Sequence, residues 1–438
     1  MQSKNGRLRA IRKSARAARP LVAALTLLLP AAQAAEAQQR DSARSRADSL
    51  ADRLERAEEA IALLQQQLAT QAQSSVQTHS RLSLELTGRV LMSAFGNTRR
   101  VNNVDVPLFV RPDTVSGLPL RGGGMSMRQT TLGLALSASN VLGGKFLGDV
   151  DVDFFGGQQP STGGRHFPLV RLRTARAIVK WERAELLAGQ ESPLVSPVNP
   201  VSLAAVGTPA FTANGNLWLW LPQLRGRIER GDRVRVGIAG AVLAPATGDA
   251  ATAFDTDLDN AERSRRPFLE SRVHLAWGED VTAGEIGAGI HQGWFATRGD
   301  SLLASTISVV DAIIPLTSRI ELRGEWYRGR GARSLGGGAV GQLLAPTGAP
   351  VRNQGGWMQA NLRPTSRLLM GAGVGYDDPE DKDLPAAGRQ HNQAREVHIH
   401  WRPAQPILLG AEYRRMVTRY ARGPLSNDHL QLTVGFEF

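Results

Sequence analysis

The sequence has no cysteine among its 438 residues. That excludes a disulfide scaffold, thiolate metal centres and cysteine nucleophiles. Tyrosine is nearly as scarce, at 4 residues, too few for the aromatic slide of a saccharide channel. Long apolar runs are missing too. Residues 21–29 (LVAALTLLL) make a run of nine, too short to cross a bilayer as a helix. The mean hydropathy of −0.22 excludes a bundle of membrane helices. It remains compatible with a barrel in which only every second residue meets lipid. Acids are absent before Glu36, where seven lysines and arginines stand. More than half of the formal net charge of +12 therefore sits in the first 35 residues, and a nucleic-acid partner is not expected.

What is present begins with that basic stretch, the apolar run and a set of small residues with A-x-A patterns at Ala32–Ala34 and Ala35–Ala37. Residues 1–37 read as a secretory signal peptide. Apolar residues then recur at alternating spacings of three and four: Ala47, Leu50, Leu54, Ala57, Ile61, Leu64 and Leu68. This predicts a coiled-coil helix over 41–72, with Leu50, Leu54, Ile61, Leu64 and Leu68 in an oligomerisation seam. Residues 73–81 read as a linker.

From residue 82 to 438 the pattern changes to period two. The chain ends with Leu430, Leu432, Val434, Phe436 and Phe438 alternating with Gln431, Thr433, Gly435 and Glu437. Similar alternation sets Ile320, Leu322 and Trp326 against Glu321, Arg323 and Glu325. Elsewhere it sets Val397, Ile399 and Trp401 against Glu396, His398 and His400. About 16 strand candidates follow, separated by connections that are alternately long and short. The long ones lie near 96–125, 156–168, 191–220, 244–267, 329–355 and 377–393; those at 297–303 and 421–427 are moderate.

The expected fold is all-β: a transmembrane antiparallel β-barrel of about 16 strands, preceded by a short N-terminal periplasmic coiled-coil helix. Apolar faces would meet lipid, and charged faces would line a water-filled lumen. Phe436 and Phe438, at the end of the closing strand, resemble a barrel-assembly signal.

Parity places Arg171, Arg173, Arg225, Arg227, Arg272, Arg323, Arg402 and Arg414 in the lumen. Guanidinium groups there would concentrate anions. Asp149, Asp151 and Asp153 form a row of lumen acids that Arg171 and Arg173 could pair, and about half of the lumen arginines are assigned to such wall ladders. His398 and His400 make too sparse a set for a metal site. Gly299-Asp300-Ser301-Leu302 spells an esterase motif outside its usual setting. No catalytic pairing, metal or cofactor is expected. The Pro-rich connection 191–220, with Trp218 and Trp220, could fold into the lumen as a constriction, latch onto a neighbouring protomer, or lie at the surface with its tryptophans at the lipid interface.

The runs RQTTLGLALS (128–137), DVDFFGG (151–157), RLRTARAIV (171–179), LLAGQ (186–190) and PQLR (222–225) occur in that order. Their succession resembles the DcaP-like trimeric outer-membrane porins. The resemblance implies a 16-stranded porin, a homotrimer, periplasmic helical extensions and a preference for small anionic solutes such as dicarboxylates. Arg171, Arg173 and Arg225 would carry that preference. Expected partners are outer-membrane lipid, the barrel-assembly machinery and small anions. Rival readings are a phosphate- or oligosaccharide-selective channel, a closed barrel acting as a structural tether, and a barrel enzyme.

Overall fold

A computed structural model of the chain describes residues 76–77, 82–113, 121–157, 168–247, 258–297 and 301–438. The coiled-coil seam from Leu50 to Leu68 and the signal peptide lie outside the described residues.

Sixteen staves make one closed antiparallel sheet. β1 is Ser83–Asn97, and β2 is split into Gly122–Ser126 and Thr131–Val141. Then follow β3 (Gly144–Asp153), β4 (Arg171–Lys180), β5 (Ala184–Glu191), β6 (Leu221–Arg230) and β7 (Val234–Leu243). The middle staves are β8 (Phe268–Trp277), β9 (Gly284–Ala296), β10 (Leu302–Pro315) and β11 (Ile320–Arg330). The ring finishes with β12 (Arg352–Thr365), β13 (Leu368–Pro379), β14 (His391–Trp401), β15 (Ile407–Tyr420) and β16 (Gly423–Glu437). Each stave pairs with its chain neighbours, and β16 returns to β1 with Leu432 opposite Ala94 and Glu437 opposite Arg89. Every backbone edge is thereby used, as an apolar surround demands. A two-residue strand, Val76–Gln77, pairs with the start of β1.

The expected staves are present, with two corrections. The strand expected over 126–138 is two pieces. Gly122–Ser126 pairs with the upper half of β1 and Thr131–Val141 with the lower half, so 127–130 is a break in the wall. Glycines 122–124 have no side chains, and alternation cannot register them. The moderate loop expected at 421–427 is also shorter. β16 starts at Gly423, because Pro424, Ser426 and Asn427 pair with β15 despite their turn-like chemistry.

Facing follows the alternation. Leu430, Leu432, Val434, Phe436 and Phe438 are 42–53% exposed, whereas Gln431 and Thr433 are 1% and 6% exposed. The same inversion holds on β8, where Arg272 and His274 are 4% exposed between Val273 at 54% and Leu275 at 41%. An apolar exterior around a polar interior is stable in lipid rather than in water. Turns at one end are tight. Gly231, at the β6–β7 turn, has φ +111, and a Cβ there would stand 2.0 Å from the Val234 carbonyl oxygen. The long connections all lie at the other end.

Candidate functional site: the lumen and its inner loop

Pairing between strands arranges the lumen charges. Asp149, Asp151 and Asp153 line β3, and β4 runs beside them. Arg171 donates Nη2 to Asp153 Oδ2 at 2.6 Å, and Arg173 Nη1 reaches Asp151 Oδ1 at 3.1 Å. A bulge between Asp151 and Val152 leaves Arg173 unmatched across the ladder and shifts the parity of β4. Arg176 therefore also points inward and completes the ladder on Asp149 and Glu191. Strict alternation hid it.

The remaining predicted arginines also reach lumen partners. Arg227 pairs with Glu229. Arg272 lies 2.6 Å from both Asp311 and Glu285. Arg323 is 2.6 Å from Glu321, and Arg402 is 2.6 Å from Glu437. Arg414 is 3.0 Å from Glu396. Arg225 differs. Its guanidinium donates to Gln223 Oε1 at 2.8 Å and to the Ser192 carbonyl at 2.7 Å, with no carboxylate partner among the described residues. Wall pairing thus extends to seven of the eight, well beyond the expected half.

The connection 192–220 turns inward and contains no charged residue. Its backbone needs partners, and the wall supplies them. Glu412 on β15 accepts the Leu203 and Ala204 amides at 2.5 and 2.9 Å and the Ser202 hydroxyl at 2.7 Å. Glu325 on β11 accepts the Leu217 amide at 3.1 Å and the Ser196 hydroxyl. Glu270 on β8 accepts the Val195 amide at 3.3 Å. Gln359 on β12 both accepts from and donates to the Val201 backbone. Gln129, in the break of β2, accepts the Val206 and Gly207 amides at 2.7 and 2.9 Å and donates to the Ala204 carbonyl. Backbone contact is closest at Gly215, φ +105, where a Cβ would lie 2.3 Å from the Gly356 carbonyl oxygen. Phe211 stacks on Trp357 at 6.0 Å, against Val106, Phe155 and Val198.

Of the three placements open to this loop, the structure takes the one inside the ring. Trp220 is inside as well, with the Arg171 and Arg173 guanidinium groups 5.1 and 5.0 Å from its ring. His398 and His400 stack at 4.8 Å, and His400 Nε2 lies 3.2 Å from Glu412 Oε1, so this histidine braces the loop anchor. Glu270, Glu325, Glu412, Gln129 and Gln359 were not singled out from the sequence. The signal for them was the charge-free loop itself, which must find polar partners once enclosed.

The described staves thus close into a 16-stranded barrel with the connection 192–220 turned inward. No family model matches the sequence, and no curated protein matches it. Among solved structures, the outer membrane channel DcaP of Acinetobacter baumannii superposes with a TM-score of 0.65 at 18% identity, over 83% of this chain and 100% of that one. The anion-selective porin from Comamonas acidovorans gives 0.53 at 11% identity, over 82% and 100%. OmpF of Salmonella typhi gives 0.52 at 10%, over 83% and 100%. The resemblance read from the sequence holds at the level of the fold.

Proposed function

We propose that this chain forms a water-filled pore in a bacterial outer membrane, through which small hydrophilic solutes diffuse passively, with anions preferred. The molecule would assemble as a homotrimer, inserted by the barrel-assembly machinery, with its N-terminal segment in the periplasm. One observation carries the anion preference. The neutral loop 192–220 spends its amides on Glu270, Glu325 and Glu412, and so covers those wall carboxylates. Arg171, Arg173 and Arg176 stay 20–31% exposed across their side chains, and Arg225 lacks an acid partner among the described residues. Covered acids beside accessible guanidinium groups favour anion entry. The similar fold of a porin described as anion-selective agrees with this reading.

Planar-bilayer recording tests it. Stepwise ion currents are expected, with a zero-current potential under a KCl gradient of the sign set by chloride. Absence of steps would sink the pore. A potential of the opposite sign would sink the anion preference. A closed barrel serving as a tether is the second reading. It is favoured by the apolar packing of Val106, Phe155, Val198 and Phe211 inside the ring. The same recording separates the two.

A further inference from the structure

On the outer wall, β11–β15 carry three hollows in a line. The uppermost, about 840 Å³, is lined by Arg328, Arg330, Arg352 and Arg419 with Asp378, Glu380 and Asp381. The second, about 510 Å³, lies between Trp326 and Tyr376, whose side chains meet at 3.3 Å, and Arg395 carries the cationic lining down into it. The third, about 630 Å³, is almost wholly apolar, with Ala360 and Ala372 in its floor and Leu362, Met370 and Ile399 around it. Along β12 they occupy consecutive positions, from Arg352 through Gly356 to Leu362.

Charge in the upper hollow is not balanced. Asp378 pairs with His391 at 3.1 Å, Glu380 lies 4.0 Å from Lys382, and Arg352 is held by Asp383. Arg328, Arg330 and Arg419 have no ion pair among the described residues, and of the lining acids only Asp381 lacks one. Register puts Arg330 beside Arg352 on adjacent staves and Arg419 beside His391. The vertical order is therefore cationic, then aromatic, then apolar. A lipid leaflet has the same order of headgroup, interface and chains. The lengths agree too. From Gln354 to Leu362 the strand covers about 27 Å, or about 20 Å of depth at a barrel tilt near 40°. Half of a hydrocarbon core of about 30 Å plus a headgroup is similar.

We infer that this wall holds a phosphorylated glycolipid of the outer leaflet, its phosphates on Arg328, Arg330 and Arg419 and an acyl chain over Ala360 and Ala372. The inference rests on the membrane placement proposed above. Guanidinium forks suit phosphate oxygens, and the small residues beneath leave room for a chain.

Native mass spectrometry of the full-length protein in detergent tests this, with diphosphoryl lipid A as the probe. Wild type should retain the lipid in excess inorganic phosphate. The triple variant R328Q/R330Q/R419Q should bind at least about tenfold more weakly. Ala360→Phe, which fills the groove and keeps every arginine, should weaken binding as well. Unchanged affinity in either folded variant overturns the proposal, as does displacement by inorganic phosphate. Loss of subunit association in either variant also overturns it, since the groove would then be a seam between copies. Conductance is a separate readout, and its absence in wild type would sink the pore while leaving this lipid site standing.

Discussion

Arg225 keeps its charge without a carboxylate partner among the described residues, whereas Arg272 is sandwiched between Asp311 and Glu285. Arginines read as one class in the sequence therefore do different work. Arg225→Gln should lower the anion-to-cation permeability ratio by about fourfold, because one unit charge some 10 Å away in water shifts anion and cation by about 0.4 kcal/mol each, in opposite directions. Zero-current potentials measure it, and an unchanged ratio would remove Arg225 from the permeation path. Arg272→Gln should leave the ratio alone but cost about 3 kcal/mol of stability, because buried Asp311 loses its counterion. Thermal unfolding in detergent reads that loss. Alternation revealed which side of the wall each arginine occupies. Beyond the acid row opposite Arg171 and Arg173 it did not reveal partners, and it missed Arg176 because a single bulge reverses the parity of β4.

The loop 192–220 was visible as a Pro-rich, charge-free segment with two tryptophans, but its seat was not. Its anchors stand on staves far away in the chain, and each looked like an ordinary polar wall residue. Glu412 is central, since it accepts two amides and a hydroxyl. Glu412→Gln keeps the shape and removes the charge, weakening the seat by about 2 kcal/mol. Gly215→Val introduces both backbone strain and a clash with Gly356. Both variants should give larger, noisier single-channel currents than wild type. Quiet currents of wild-type size would show that the loop does not limit the pore. The break in β2 has no alternation signal, because the strand piece before it opens on three glycines; Gln129 within the break makes three hydrogen bonds to the loop.

For the whole molecule, closure is the ladder of β16 on β1, from His429 opposite Asn97 to Glu437 opposite Arg89, and Phe438 extends it. Phe438 exchanges backbone hydrogen bonds with Gly88 at 2.9 and 3.0 Å, and its ring lies where a Gly88 Cβ would come within 2.7 Å. Phe438→Asp should lower the amount of folded barrel in membranes, and Gly88→Val should do the same by pushing the ring aside. Heat-modifiable migration on gels reports the folded fraction. Normal levels of both variants would mean that assembly does not read this end of the chain. The ring of staves was legible almost throughout, because an apolar outer face and a polar inner face impose the same alternation on every stave.

The inner loop leaves the wall after β5, yet it is tied to Gln129 before it and to Glu412 far behind it. A growing or truncated sheet cannot offer both. Without β15 in place, the Leu203 and Ala204 amides lose their Glu412 acceptor, and the loop loses that anchor. The loop is thus a latch. Its full set of anchors exists only in a ring whose far staves are present and in register.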